Sequence, residues 1–309
     1  MQAERKMRMW VRLRRMRRNW ALYALLLVPL LYILVFKYGP MYGVQIAFRD
    51  YSIVKGITDS PWVGLKHFRN FFNNFMFSRV LKNTLLINLY SLMTFPCSIL
   101  FALMIHYLPF RRYRKTVQLV SYAPHFISTV VICGMILSFF SSQGMVNQFR
   151  GIFGLAPVNF LGNASYFYSL YIWTGVWQEI GYGSILYVSS LSGVDPELHE
   201  AAIIDGASIL KRMRHVDLPS ILPMVMVMLV LRCGSLLSLG YEKIYLLQNS
   251  LNLVSSEVIS TYVWKQGIAA SIPQYSYAAA VGLFTSVVNL VMLVLVNWIA
   301  RRTAHHALW

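Results

Sequence analysis

Acidic residues are scarce in this sequence. Eleven Asp and Glu stand against 28 Lys and Arg in 309 residues, and charged residues of both signs make up only 13%. That is about half the share usual in a soluble domain, which excludes an ordinary water-facing surface. Cysteine is nearly absent as well. Cys97, Cys133 and Cys233 lie far apart, each within an apolar stretch. This spacing excludes a disulfide framework or a cysteine metal site, and leaves them as small apolar side chains. No Gly-Lys pair occurs anywhere, so no Walker-type phosphate loop is available for nucleotide hydrolysis. A Gly-x-Ser-x-Gly nucleophile elbow is missing too, as are short repeats and low-complexity tracts.

Apolar residues are abundant: 57% of the chain is hydrophobic and 15% aromatic. They gather in runs of about 20, the length that crosses ~30 Å of hydrocarbon. The pattern predicts an all-α, polytopic membrane protein with six transmembrane helices at 20–36, 80–108, 117–140, 166–190, 221–240 and 277–300. The fourth run is interrupted by Gln178, Glu179, Gly181 and Gly183, and Gly39-Pro40 is expected to end the first helix. The chain divides into a basic arm (1–19), a first span with its outer loop (20–79), a five-helix core (80–300) holding a polar loop at 194–219, and a tail (301–309).

The net charge of +17 is unevenly placed. Seventeen Lys and Arg fall in the first 19 residues, between spans two and three, between spans four and five, and after span six. Nine fall in the alternate loops, among them Arg150, Lys243 and Lys265. The positive-inside rule therefore puts both termini in the cytoplasm. The arm RKMRMWVRLRRMRRNW mixes aromatics with arginines, but as a membrane anchor each basic residue contributes about 1 kcal/mol near anionic lipid, so no nucleic-acid partner is expected. A cleavable signal peptide fits poorly, because no small-residue cleavage pattern follows the first run. The outer segment 37–79, with its Gly, Pro, Asp and aromatic residues, is expected to be ordered.

The stretch HEAAIIDGASILKRMRHVDLPSILP, at 199–223, stands apart by its charges, two prolines and a glycine. It opens with His-Glu, but a zinc-protease helix needs a second histidine where Ile203 stands. No metal is therefore expected, and His106, His125, His305 and His306 show no ligand spacing. The stretch instead encodes a capped helix. Asp195 suits the N-cap and Pro196 the first helical position. Glu197 and Glu200 lie near the positive end of the helix dipole, and Gly206 suits a left-handed C-cap. Ser208 is placed to cap a second short helix, which Leu218-Pro219 is expected to stop.

Glu200-Ala201-Ala202, Gly206, Val216 and Leu218-Pro219 together resemble the EAA motif in permease subunits of binding-protein-dependent ABC importers, with Val where Ile is usual. Asp205 and Ala207 complete the EAAxxDGA form of the sugar-transporting branch. KYGPMYGVQIAFRDYSIVKGI, WQEIGYGSILYVSSLSGVDPELHEAAIIDGA and YSYAAAVGLFTSVVNLVMLVLVN extend the resemblance, to LplB-type polysaccharide permeases, over nearly the whole chain. The resemblance implies a MetI-like permease fold, related to the maltose importer's membrane subunits, and an oligosaccharide substrate. It implies two ATPase subunits that carry ATP and magnesium, a second permease, and an extracytoplasmic substrate-binding protein. This chain would bind no cofactor and catalyse nothing itself. The helix around Glu200 would be the coupling helix, with Glu200 meeting a basic group on the ATPase. The segment at 37–79 would face the binding protein or merely cover the helix tops.

Sugars are held by aromatic faces with polar groups beside them. Candidates along the path are Trp173, Trp177, Gln178, Glu179, Tyr182, Arg232, Ser235, Glu242 and Asn289. Arg232, charged within an apolar run, either attracts an acidic, uronate-containing sugar or pairs with Glu179 or Glu242. A secondary sugar transporter remains an alternative, though no second half repeats the interruption of span four. So does a permease of the same fold for a non-sugar solute.

Overall fold

The computed structural model describes residues 18–303. The basic arm at 1–17 and the tail at 304–309, with the charges and the two histidines read there, lie outside the described residues. Among the described residues no strand forms. The backbone is helical apart from loops, with isolated bridges between Arg49 and Trp62 and between Ser52 and Gly56. Two compact units divide at His67 and Phe68.

The first unit holds α1, Trp20–Ile33, which runs on through a π-helical turn, Leu34–Tyr38, and a 3-10 stretch, Gly39–Phe48. Gly39-Pro40 therefore does not end the helix as expected. Pro40 stands in the first turn of the tighter segment, where a missing N–H costs nothing. The result is one apolar span of 29 residues, Trp20–Phe48, none of whose most apolar stretch is buried within the chain. Beyond it the outer segment is ordered by polar contacts. Arg49 Nη1 donates to the carbonyls of Thr58 and Ser60, both at 2.8 Å. Asp50 accepts from Lys66 at 2.6 Å, and that bond holds the Asp50 carboxyl below its ordinary value. Phe48 and Trp62 stack at 5.6 Å.

The second unit begins its membrane-length helices with α2, Met76–Met93, and α3, Pro96–His106, which form one apolar span of 31 residues. Next, α4, Arg111–Tyr122, continues into a turn at Ala123–Phe126. It then meets α5, Thr129–Phe139, at a 97° bend. Pro124 lies in that turn, and Ser128 caps α5 by accepting from the Val131 N–H. α6, Ala164–Gly183, and α7, Ile185–Leu191, occupy the predicted fourth span. The loop region contains α8, Pro196–Ile204, and α9, Ile209–Arg212. From α9 a π turn, Met213–Asp217, leads without a stop into α10, Leu218–Cys233. The fifth span therefore begins at Ile209 rather than near 221. Leu218-Pro219 fails to interrupt it because Pro219 falls in the first turn of α10, and Pro223 lies inside that helix. After α11, Tyr241–Leu247, and α12, Ile259–Trp264, the chain closes with α13, Tyr275–Thr303.

Four helices are long and apolar enough to cross a membrane among the described residues, five if the bent pair counts as one span. α6 has the length but carries Gln178 and Glu179, and it is not among them. Three apolar clusters hold the second unit together. One centres on Ile87, Ile132, Phe167 and Ile244, another on Phe71, Val80, Tyr262 and Val281, and the third on Ile99, Leu103, Tyr187 and Ile221.

Gly181 lets α6 approach α4 closely: a Cβ there would lie 2.1 Å from the Ser121 carbonyl oxygen. Gly181→Ala should cost about 1–3 kcal/mol through that backbone clash. Gly134→Ala, with nothing within 4 Å of its Cβ, should be neutral or stabilise α5 by up to ~1 kcal/mol. Thermal unfolding of the two purified variants in detergent checks the contrast.

Candidate functional site

The polar loop and a membrane-level cavity are the two places where the predicted residues gather. In the loop, the Asp195 side chain accepts from the Glu197 N–H at 3.0 Å, with Pro196 in the first turn of α8. At the other end Gly206 has φ +73°. Its N–H donates to the Ile203 carbonyl at 3.0 Å, and the Ala207 N–H donates to the Ala202 carbonyl at 2.9 Å. These two bonds form a Schellman closure, which satisfies carbonyls that the helix end would leave orphaned. Ser208 occupies the N-cap position of α9 but makes no side-chain cap bond. Glu200, Ala201, Asp205, Gly206, Leu218 and Pro219 are exposed, while Ala202 and Ala207 are half-buried. Beside them stand bare apolar side chains: Ile204 is 85% exposed and Leu210 76%.

The inner side of α8 is anchored. His199 Nε2 lies 3.2 Å from Asp217 Oδ1 at the foot of α10, and Asp217 is fully buried. The Tyr107 hydroxyl, just past α3, donates to Asp217 Oδ2 at 2.6 Å. Burial and that carboxylate raise the Tyr107 phenol above its ordinary value, so it remains a donor. The Arg212 guanidinium sits over the Tyr107 ring at 5.3 Å, and the His106 ring lies 6.1 Å from that of His199. The sequence spacing gave no reason to group His106, His199 and Asp217. They converge only because α3, α8 and α10 meet here.

The cavity, of about 350 Å³, lies between α2, α6 and α10. Of the predicted path residues it is lined by Gln178, Glu179 and Arg232, joined by Ser91, Tyr171 and Lys243. Arg232 does not pair with Glu179 or Glu242. It donates to Ser91 Oγ, and among the described residues it has no ion pair. Glu179 Oε2 instead lies 2.9 Å from His125 Nδ1, whose ring stacks on Tyr182 at 3.7 Å. Glu242 is exposed and does not line the cavity. Trp173 donates its indole N–H to the Tyr90 hydroxyl at 2.9 Å, and Trp177 lines a separate groove with Phe101 and Val120. Ser235 bonds back to the Arg232 carbonyl at 3.0 Å. Asn289 accepts from the Leu237 N–H at 2.9 Å and donates to Ser238 at 2.7 Å, so it ties α13 to the end of the fifth span.

Lys243 was not among the residues expected here, because its position between two apolar runs read as an outer loop. α11 folds it back against α5, where Cys133 Sγ lies 3.8 Å from its carbonyl. Its ammonium stands 5.3 Å from the Tyr171 ring. Burial lowers the Lys243 pKa, opposed by the Glu179 carboxylate.

Residues 71–305 match the family described as binding-protein-dependent transport system inner membrane component. The chain belongs to that family. It is 40% identical to protein LplB of Bacillus subtilis over 289 residues, covering 93% of this chain and 90% of LplB. It is 39% identical to the polygalacturonan/rhamnogalacturonan transport system permease protein YteP of the same organism, with the same coverage of both chains. Among solved structures, a chain of a bacterial alginate ABC transporter, in complex with alginate pentasaccharide-bound periplasmic protein, superposes with a TM-score of 0.86 at 37% identity. The match covers 95% of this chain and 98% of that one. The all-α, polytopic, MetI-like permease fold is thereby established, and so is the role of an inner-membrane transport component. The secondary-transporter alternative falls with it.

Gly206 is the point where the loop geometry is most exposed to change. Gly206→Ala forces a Cβ into left-handed backbone, at a cost of about 1–2 kcal/mol. Hydrogen exchange of the α8 amides should then speed up roughly 5- to 30-fold, with the amides of α13 unchanged.

Proposed function

We propose that this chain is the translocation subunit of an ATP-driven importer for acidic oligosaccharides, those carrying uronate units. One observation carries the substrate class: two cations, Arg232 and Lys243, converge on one cavity whose only lining carboxylate among the described residues, Glu179, lies against His125. A cavity with surplus positive charge favours a carboxylated sugar, and a charge-assisted hydrogen bond there is worth about 1.5–3 kcal/mol. Ser91, Gln178 and Tyr171 supply the neutral hydrogen bonds and the aromatic face that a pyranose ring requires. The names of YteP and of the alginate transporter, both concerned with acidic polysaccharides, support the same reading.

Energy would enter from outside the chain. Two ATPase subunits would hold ATP and magnesium, and α8 would seat in a cleft of one of them. Ile204 and Leu210 would provide apolar contact and Glu200 a charge for a basic partner. Closure of the ATPases would displace α8. Because His199, Asp217 and Tyr107 tie α8 to the ends of the second and fifth spans, that displacement would reach the helices that wall the cavity. A second permease would complete the path, and an extracytoplasmic binding protein would deliver the sugar. Both termini would face the cytoplasm, as the basic loops require.

Uptake by the assembled importer tests the substrate class. Arg232→Gln and Lys243→Gln should each lower uptake of galacturonate or alginate oligosaccharides about tenfold or more, with uptake of neutral oligosaccharides of equal length little changed. Equal loss for both sugars would overturn the acidic reading.

The coupling role has its own check. Glu200→Lys should abolish co-purification with the ATPase subunit while leaving the chain folded in the membrane. Unchanged co-purification would remove Glu200 from the contact.

A further inference from the structure

We propose that His106, His199 and Asp217 form a binding site for a zinc-class divalent cation. Each offers one ligand atom, and the three atoms lie within 4.8 Å of one another. Two ligands ~2.0–2.1 Å from a tetrahedral zinc ion stand about 3.3 Å apart, and His199 Nε2 and Asp217 Oδ1 are 3.2 Å apart.

The polar accounting around Asp217 points the same way. Its carboxylate is fully buried, and among the described residues no Lys or Arg forms an ion pair with it. Oδ2 is held by the Tyr107 hydroxyl at 2.6 Å. Oδ1 has no hydrogen-bond partner, and neither does the buried His199 Nε2 that faces it. A bent His–Asp contact leaves both atoms short of a bond, at a cost of about 1–3 kcal/mol for each buried group. A cation between them satisfies both at once. Tyr107 is then the outer partner that orients a ligating carboxylate, as such partners do in metal sites.

The donor set selects the ion. Two imidazoles and one carboxylate suit zinc, nickel or cobalt and are poor for magnesium or calcium, which prefer oxygen ligands. Three protein ligands leave a fourth position to water. The site would join the end of α3, the capped helix α8 and the foot of α10.

The test uses the full-length chain with a non-histidine affinity tag, purified into lipid nanodiscs, stripped with a chelator and titrated with zinc chloride. The unmodified chain should retain one more zinc per chain than His106→Gln, His199→Gln or Asp217→Asn, and zinc should raise its melting temperature by several degrees. Cobalt should give the intense visible absorption of a tetrahedral site in the unmodified chain and lose it in His106→Gln. That variant is decisive, because it removes a ligand without touching the His199–Asp217 pair. Should Asp217→Asn fail to fold, His106→Gln still decides. Equal zinc content and equal melting shift in the unmodified chain and His106→Gln would overturn the site, leaving a plain histidine–aspartate contact. So would a melting shift given equally by magnesium.

Discussion

In hydrocarbon no water stands by to take a hydrogen bond, so each backbone N–H and C=O must find its partner within the protein. Helices solve this internally except where they bend, end or turn back. The second unit places a polar side chain at many such points. Asn83, almost fully buried, donates to the carbonyls of Val254 and Glu257, both at 2.9 Å, and accepts from the Tyr168 hydroxyl at 2.7 Å. Thr84, on the same helix, accepts from the Ile259 N–H at 3.0 Å, where α12 begins. Asn249 and Asn252 both donate to the Leu161 carbonyl, at 2.7 and 3.0 Å. Each pin joins segments more than 80 residues apart. An asparagine inside the membrane is costly when unpaired, so these pins also fix the register of the helices that carry them.

The same constraint explains what could be read from the sequence. Apolar runs of membrane length give helices because a helix satisfies its own backbone there; the second and sixth spans appear within a few residues of expectation, whereas the first and fifth have other bounds, the third is bent and the fourth is not apolar enough to count. The caps of α8 were legible because capping is local. Asp195, Pro196 and Gly206 act on neighbours two to five residues away. Prolines misled at Gly39-Pro40 and at Leu218-Pro219. A proline in the first turn of a helix removes an N–H that would have had no partner, so it can open a segment as readily as it closes one. The interactions that shape the cavity and the loop anchor were not legible. Arg232 meets Ser91 across 141 positions and Tyr107 meets Asp217 across 110, and no period or spacing encodes such encounters. Lys243 went unseen because one charged residue between two spans looks the same whether its helix stands clear or folds back.

Charge placement divides the molecule by purpose. Most of the described Lys and Arg lie away from the cavity at exposed positions, where hydration makes a charge inexpensive. Arg232 and Lys243 are different, since an ionised group in or near hydrocarbon is usually neutralised by a carboxylate. Here the nearest candidate, Glu179, is turned toward His125, which itself stacks on Tyr182. That arrangement leaves positive potential facing the cavity. It is what a transient anion requires: enough attraction to enter, and no permanent counter-charge to displace. The lowered Lys243 pKa has the same origin, because burial penalises the ammonium until a negative group arrives.

The loop at 194–219 depends on a second balance, between freedom outside and fixation inside. Its outer face bears the exposed side chains of Ile204 and Leu210, while on its inner face the His199 imidazole lies 3.2 Å from the buried Asp217 carboxylate. A lever needs both. A helix free on both faces would absorb displacement by tilting, and one buried on both would have nothing to be displaced by. The caps satisfy the ends of α8, so under the proposed coupling a motion imposed on the outer face would pass as translation or rotation of the whole helix. It would then reach the start of α10, since the π turn Met213–Asp217 keeps the chain helical from Ile209 onward. Had Leu218-Pro219 broken the helix, the same displacement would have been lost in a flexible joint. Because α10 also carries Arg232, the end of the loop and the cavity lie on one helical stretch of 25 residues, and under the proposed coupling movement of one end would reposition the cation at the other.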